Sequence, residues 1–202
     1  MKNKKLIQIA KFISDIFNPG VLALIILFTA VYRSSLAREE AFAWYLAILV
    51  VNGLIPGVFY LFFTSRGYVF DDTLKNKKVH KERILLLGLF LVITVIEVLI
   101  MSATGNYYQP LYAVLVGGII SIIIAAIVSY FWKVSMHSSM ITFFTLMVIF
   151  MFGPATWPVL FLIPLVWWSR LILCRHTIWQ LIIGSIISII IVYFTFHFFS
   201  LI

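Results

Sequence analysis

The sequence has 202 residues, of which 63% are hydrophobic and only 11% are charged. Apolar runs of about twenty residues recur along it, the length that a helix needs to cross a bilayer, which excludes a soluble globular domain. The net charge of +8 is carried by short polar stretches beside these runs. We therefore expect membrane lipids and phosphorylated substrates as partners, and no nucleic acid. The single cysteine, Cys174, excludes an intrachain disulfide and a cysteine metal cluster.

The predicted elements begin with an amphipathic helix over residues 1–17, where apolar side chains alternate with lysines as in helices that lie in the membrane interface. Asn18-Pro19-Gly20 ends this helix. Residues 18–202 are predicted to form one all-α domain, a polytopic transmembrane bundle of six to seven spans. The expected spans lie at roughly 20–36, 41–63, 84–102, 111–132, 138–153, 155–168 and 178–200, and the first and sixth are short for a bilayer of about 30 Å.

Three polar islands interrupt the apolar sequence, and an even number of predicted spans separates them. We define them as residues 66–83, 133–137 and 169–180. Helical hairpins would therefore return all three islands to one side of the membrane. That side also carries all of the fifteen Lys and Arg residues except Arg33 and Arg38. The positive-inside rule predicts that this motif-bearing face of a multi-pass protein, which we expect in a prokaryotic cell membrane, is cytoplasmic.

The second and third islands each place a histidine close to a serine and a basic residue. Ionisable groups are costly at membrane depth, so they are retained there mainly for function. In the third island, His176 and Gln180 are four residues apart and share one helical face. Gln180 can therefore hydrogen-bond the imidazole and fix its tautomer.

The third island resembles the third signature of the type 2 phosphatidic acid phosphatase (PAP2) superfamily. That signature is Ser-Arg, five residues, His, three residues, Asp. It is matched here by Ser169, Arg170 and His176, with Gln180 at the position of the Asp. A neutral amide can orient the histidine ring but cannot offset the charge of an imidazolium, as a carboxylate would.

The other two signatures are matched in part. The second, Pro-Ser-Gly-His, is matched at Ser135 and His137, with Met136 in place of the Gly. The first, Lys, six residues, Arg-Pro, is matched only at Arg83, and Asn76 stands where the Lys is expected. Arg83 alone would be read as a helix-flanking anchor. The resemblance covers roughly residues 66–190 and implies a PAP2-like core there.

The resemblance implies a metal-independent membrane lipid phosphatase that works through a phosphohistidine and needs no cofactor. His176 would be the nucleophile, oriented by Gln180, and His137 would be the general acid. The residues that it implies for holding the phosphate oxygens are Arg83, Ser135, Ser169 and Arg170. Cations that neutralise phosphate oxygens are also what phosphoryl transfer requires physically, and two histidines without a nearby carboxylate set argue against a metal site.

The implied substrate is a lipid phosphate or an isoprenyl diphosphate, and the sequence does not rank phosphatidate, phosphatidylglycerol phosphate and the undecaprenyl carrier. Two other functions stay open. One is a catalytically weak or inactive lipid-binding protein on the same scaffold, which the Gln180 departure favours. The other is a small transporter in which Glu97, a carboxylate well inside its span, is the coupling site. Otherwise Glu97 pairs with a cation or hydroxyl in the bundle, or lines a cavity.

Overall fold

The computed structural model describes residues 4–67, 78–105 and 107–202, without the side chains of residues 78–83 and of Tyr130. Every regular element in these ranges is helical, which confirms the predicted all-α class for the described part of the chain. The α-helices are α1 (Lys4–Ile16), α2 (Pro19–Arg33), α3 (Arg38–Ile48), α4 (Ile55–Ser65), α5 (Lys78–Thr104), α6 (Leu111–Phe131), α7 (Met136–Phe152), α8 (Leu162–Ile172) and α9 (Ile178–Phe198). A π-helical stretch, Leu49–Leu54, joins α3 to α4, and a 3₁₀-helix, Pro154–Phe161, precedes α8.

Five helical stretches in the described residues are long and apolar enough to cross a membrane. They are Arg38–Ser65, Ile84–Thr104, Leu111–Ser129, Pro154–Ile172 and Ile178–Phe198. A sixth is obtained if α1 and α2, which meet at an angle of 41°, count as one bent span. By length and composition the bundle therefore has five to six candidate spans, one fewer than the predicted six to seven.

The difference lies in the lengths of individual helices. The fifth predicted span becomes α7, with only 17 residues, because Ser135 caps its start and Gly153, at a φ of 91°, ends it. The first becomes α2, with 15 residues, and is short as expected. The sixth is not short, because the 3₁₀-helix continues into α8 and gives 19 residues over Pro154–Ile172. A 3₁₀-helix rises about 2.0 Å per residue, more than an α-helix, so this stretch is longer still.

Helices α7 and α9 pack closely, and small polar residues line their contact. A Cβ added at Gly184 would lie only 2.9 Å from the carbonyl oxygen of Ser135, so glycine is what permits this approach. Ser185 of α9 hydrogen-bonds Ser138 at 2.8 Å and Thr142 at 2.7 Å on α7. In a bilayer each such interhelical bond is worth about 0.6 kcal/mol on average, and small residues let the backbones approach. This contact brings the N-terminal ends of α7 and α9, and with them two polar islands, side by side.

The apolar core surrounds this pair of helices. Its main cluster joins α7 and α9 to α2, α5 and α6, and a smaller cluster joins α2, α7 and α8. Fully buried members of the two clusters include Leu22, Met101, Leu111, Ile141, Met147, Val166, Val192 and Phe196. Helices α2 and α7 contribute to both clusters, so α7 is central to the bundle although it is shorter than α5, α6 and α9.

Helix α1 packs against α8 through a face of small residues. Ala10 and Ser14, four residues apart, are buried there. The side chains of Ile9, Phe12 and Ile16 are more than 40% exposed, which is the pattern of an amphipathic helix at a lipid surface. The predicted N-terminal helix is therefore present, and it also packs onto the bundle.

The π-helical stretch places a polar pair in the middle of the bundle. Asn52 is buried at its centre and donates from Nδ2 to Oε1 of Glu97 at 2.6 Å. The partner of Glu97 is thus an amide, neither a cation nor a hydroxyl. The second carboxyl oxygen of Glu97 is buried and has no hydrogen-bond partner among the described residues.

Candidate functional site

The second polar island forms the start of α7. Ser135 is fully buried and caps the helix, accepting the backbone N–H of Ser138 on its side-chain oxygen at 3.4 Å. Its hydroxyl thereby satisfies one of the free N–H groups of the first turn. His137 follows in that first turn and is 8% exposed. The sequence between α6 and α7 is short, so the cap fixes where the imidazole of His137 lies.

Arg170 and His137 meet on a serine of α1. Nη1 of Arg170 donates to Oγ of Ser14 at 2.7 Å, and Nε2 of His137 lies 3.4 Å from the same oxygen. All three side chains are more than nine-tenths buried. Three helices, α1, α7 and α8, thus supply one polar cluster, which we call the Ser14 cluster: Ser14, His137 and Arg170.

His176 and Gln180 form the predicted hydrogen bond, but they do not share a helical face, because His176 lies just before the N-cap of α9. Nδ1 of His176 lies 3.1 Å from Oε1 of Gln180, and the backbone N–H of Thr177 donates to the same oxygen at 3.0 Å. Because that N–H can only donate, the amide must present its oxygen on this side. The neutral ring must then carry its proton on Nδ1 and its lone pair on Nε2.

The hydrogen bonds of Gln180 are also those of a helix cap. The hydroxyl of Thr177 accepts the backbone N–H of Gln180 at 3.4 Å, while the Gln180 side chain accepts from Thr177, a reciprocal capping box at the start of α9. The same side chain therefore starts the helix and orients His176.

A backbone hydrogen bond connects the second and third islands: the N–H of Ser135 donates to the carbonyl of Gln180 at 3.3 Å. Within the third island, the N–H of Arg175 donates to the carbonyl of Arg170 at 3.1 Å. Trp167 of α8 donates from its indole to the hydroxyl of Ser138 at 2.7 Å. The second and third islands therefore lie together at one end of the bundle, as the hairpin pattern predicts.

Two other residues predicted to bind phosphate, Ser169 and Ser135, use their hydroxyls in hydrogen bonds with the backbone. Ser169 is fully buried, and its hydroxyl donates to the carbonyl of Val166 on its own helix at 2.8 Å. The hydroxyl of Ser135 is engaged as a helix cap. Neither residue lines the cavity described below. Arg83 is one of the residues 78–83, whose side chains are not described, so its role in binding phosphate stays a prediction.

A cavity of about 950 Å³ lies beside the Ser14 cluster and extends along the bundle. Among the described residues, its lining has three cations, Lys11, Arg170 and Arg175, and one carboxylate, Asp15, together with Ser14 and His137. The other lining residues are mostly apolar and include Leu24, Leu27, Phe90, Leu115 and Ile191. The cavity therefore suits a molecule with an anionic group and a hydrocarbon chain. His176 and Gln180 do not line it, and His176 is only 3% exposed.

Ser14 and Lys11 are the site residues that the sequence reasoning missed. Both belong to α1, which was expected to lie in the membrane interface and was given no role in the site. The spacing of Ala10 and Ser14 was a usable signal, because two small residues four apart often mark a close helix contact. That signal predicts a contact but does not identify α8 as the partner.

In the described part of the chain, no group of three or more His, Cys, Asp or Glu residues is arranged to hold a metal ion. No protein-family model, curated protein or solved structure matches the chain.

Proposed function

We propose that the protein is a multi-pass integral membrane phosphohydrolase of the phosphatidic acid phosphatase type, with its site on the cytoplasmic face. It removes phosphate from a lipid phosphate or isoprenyl diphosphate by way of a phosphohistidine, without a metal. The observation that carries the proposal is that the His137 and His176 islands meet, through the bond from Ser135 to Gln180, beside an amphiphilic cavity.

His176 is the nucleophile in this proposal. The Gln180 oxygen holds the proton of the neutral ring on Nδ1, so the lone pair of Nε2 attacks phosphorus. The bond from phosphorus to the lipid oxygen breaks as the bond to nitrogen forms. Water then attacks the phosphohistidine and releases inorganic phosphate.

His137 transfers the protons in this proposal, and Arg170 stabilises the negative charge of the phosphoryl group. As an imidazolium, His137 gives a proton to the leaving lipid oxygen. As the resulting neutral base, it takes a proton from the attacking water. The guanidinium of Arg170, buried in the same cluster as His137, stabilises the negative charge on the phosphoryl oxygens.

The cavity supports a lipid substrate over a water-soluble one. Cationic side chains and long apolar walls line one continuous space, so a phosphate can lie near Arg170 while its hydrocarbon chain stays among apolar residues. A water-soluble phosphate ester has no hydrocarbon chain to cover those apolar walls.

The proposal requires a movement around His176. The cavity reaches Arg170 and Arg175 on the connection between α8 and α9, but it does not reach the imidazole of His176. Phosphoryl transfer therefore needs this connection, residues 173–177, to shift so that Nε2 meets the phosphate. Catalytic contacts that tighten only when substrate binds are common.

That same observation favours a second candidate, a noncatalytic protein that binds an anionic lipid. Such a protein needs the cations and the apolar walls of the cavity but no exposed nucleophile. The buried position of His176 and the amide at Gln180 fit this function as well. Turnover decides between the two candidates.

The test is phosphate release by the purified protein from a panel of lipid monophosphates and isoprenyl diphosphates, in detergent with EDTA, beside His176→Ala. We expect EDTA-resistant release that the substitution reduces by at least about 10³-fold, the range lost with a catalytic nucleophile. His197→Ala is the matched control, since His197 lies near the far end of α9. Binding of these lipids without release from any of them would contradict the phosphohydrolase and support the lipid-binding protein.

A further inference from the structure

Ser14 is a buried hydroxyl placed between the basic side chains of Arg170 and His137. It is 4% exposed, lies on α1, and lines the cavity. Its Oγ is 2.7 Å from Nη1 of Arg170 and 3.4 Å from Nε2 of His137. These partners are 156 and 123 residues away in sequence, so the contact is produced by the tertiary fold.

The hydrogen-bonding capacity of Ser14 is suited to an anion. A serine hydroxyl has two lone pairs and one hydrogen. Arg170 has only donors, so it takes one lone pair, and His137, in the imidazolium form that the proposed function gives it, takes the other. Among the described residues the Ser14 oxygen has no further hydrogen-bond partner. Its hydrogen is then left for an acceptor in the cavity.

Packing alone does not explain a serine at this position. Ala10, one turn earlier on α1, is fully buried against the same helix without a hydroxyl. An alanine at position 14 would fill the same contact. The hydroxyl is the part of Ser14 that reaches Arg170 across the helix boundary.

We propose that Ser14 donates its hydroxyl hydrogen to a phosphate oxygen, so that α1 is part of the oxyanion-binding site of this protein. The inference rests on the proposed function for the identity of the natural ligand, a lipid phosphate. The site itself binds any tetrahedral oxyanion that Arg170 can reach. The N-terminal helix therefore serves binding as well as contact with the membrane.

The experiment measures binding of orthovanadate to the full-length protein in nanodiscs of zwitterionic lipid. Ser14→Ala is expected to weaken vanadate binding about tenfold, the effect of losing one hydrogen bond to a charged group. Ser14→Thr keeps the hydroxyl and is expected to stay within about threefold of the wild-type affinity. Thr29→Val is the matched control, because the hydroxyl of Thr29 bonds within α2, to the carbonyl of Ile25. Thermal unfolding of each variant is measured alongside.

Each alternative result overturns the inference. Equal vanadate affinity in Ser14→Ala and wild type would show that the hydroxyl does not bind the anion, while the proposed function would stand. Equal weakening in Ser14→Ala and Ser14→Thr, with native unfolding temperatures, would assign the effect to packing. If the wild type binds no vanadate, both the inference and the proposed function fail. Equal affinities in wild type and Ser14→Ala overturn the inference alone, so the two failures are distinguishable.

Discussion

At the scale of single residues, the side chain of Gln180 connects helix formation to chemistry. Its oxygen accepts from the Thr177 backbone and from Nδ1 of His176. The first bond fixes the orientation of the amide, and the amide fixes the tautomer of the ring. A carboxylate would do the same and would also stabilise the imidazolium. The amide therefore retains orientation and gives up electrostatic stabilisation.

Replacing Gln180 by leucine removes the acceptor for the Nδ1 proton. We expect Gln180→Leu to lower kcat for phosphate release about 10²-fold, because misplacing a catalytic tautomer is costly. Gln180→Glu keeps an oxygen at the same reach and is expected to retain or raise kcat.

The control for this change is Thr177→Val. It removes the hydroxyl that caps α9 and costs about 1 kcal/mol of stability, but it keeps the backbone N–H that orients Gln180. Its kcat should stay near that of the wild type. If Thr177→Val lost as much activity as Gln180→Leu, the role of Gln180 would be that of a helix cap alone.

Sequence reasoning succeeds at this scale where partners are local. The bond between His176 and Gln180 was expected from their spacing of four residues. The shared helical face that was expected with it is wrong, because His176 precedes the N-cap Thr177 and lies outside α9. The bond between Arg170 and Ser14 does not, because it depends on how α1 lies against α8. The hydroxyls of Ser135 and Ser169 form hydrogen bonds with nearby backbone groups. A sequence signature does not specify whether a serine hydroxyl bonds the backbone or a ligand.

At the scale of elements, the contact between α7 and α9 determines whether the histidine islands meet. Gly184 permits the contact, and serine and threonine hydroxyls join the two helices. The two N-termini then lie close enough for the bond from Ser135 to Gln180. The helix contact and the site are therefore coupled.

Gly184→Ala tests this coupling. The added Cβ would lie 2.9 Å from the Ser135 carbonyl oxygen and 3.0 Å from Oγ of Ser139. A backbone atom cannot turn away, so the helices must separate, at a cost of about 1–3 kcal/mol. We expect a lower unfolding temperature in detergent together with lower phosphate release.

Gly88→Ala is the matched control, because a Cβ there meets nothing within 4 Å. It should leave the unfolding temperature unchanged or raise it slightly, since alanine favours helix. An unfolding temperature of Gly184→Ala equal to that of the wild type would show that α7 and α9 tolerate separation and that this contact does not position the islands.

Apolar runs predict the positions of the helices better than they predict the residues at which the helices begin and end. The start of α9 agrees with the predicted span because Thr177 begins a capping box that the sequence displays. The 3₁₀-helix over Pro154–Phe161 is not predicted, because an apolar run does not distinguish it from an α-helix. The sixth span was expected to end at residue 168, but α8 continues to Ile172.

At the scale of the whole molecule, an apolar helical bundle places its second and third polar islands at one end, beside a cavity with cationic and apolar walls. The all-helical class and the shared position of these islands follow from hydropathy and from the count of predicted spans. The depth of the cavity and the part played by α1 do not, because they arise from packing between distant segments. The assignment of the islands to the cytoplasmic face remains a prediction from the positive-inside rule.

The central claim is that phosphate is transferred to His176, and trapping the phosphoenzyme tests it most directly. The protein is mixed with a lipid phosphate that it turns over and quenched in alkali, where phosphohistidine survives. The phosphorylated residue is then located by mass spectrometry. His137→Gln is included with an isoprenyl diphosphate as substrate. The lipid phosphate that leaves from it needs no acid, whereas the attacking water still needs the base, so the intermediate should accumulate. We predict phosphate on His176 in both proteins and none in His176→Ala. Turnover with phosphate on another residue, or on none in either protein, would contradict the account.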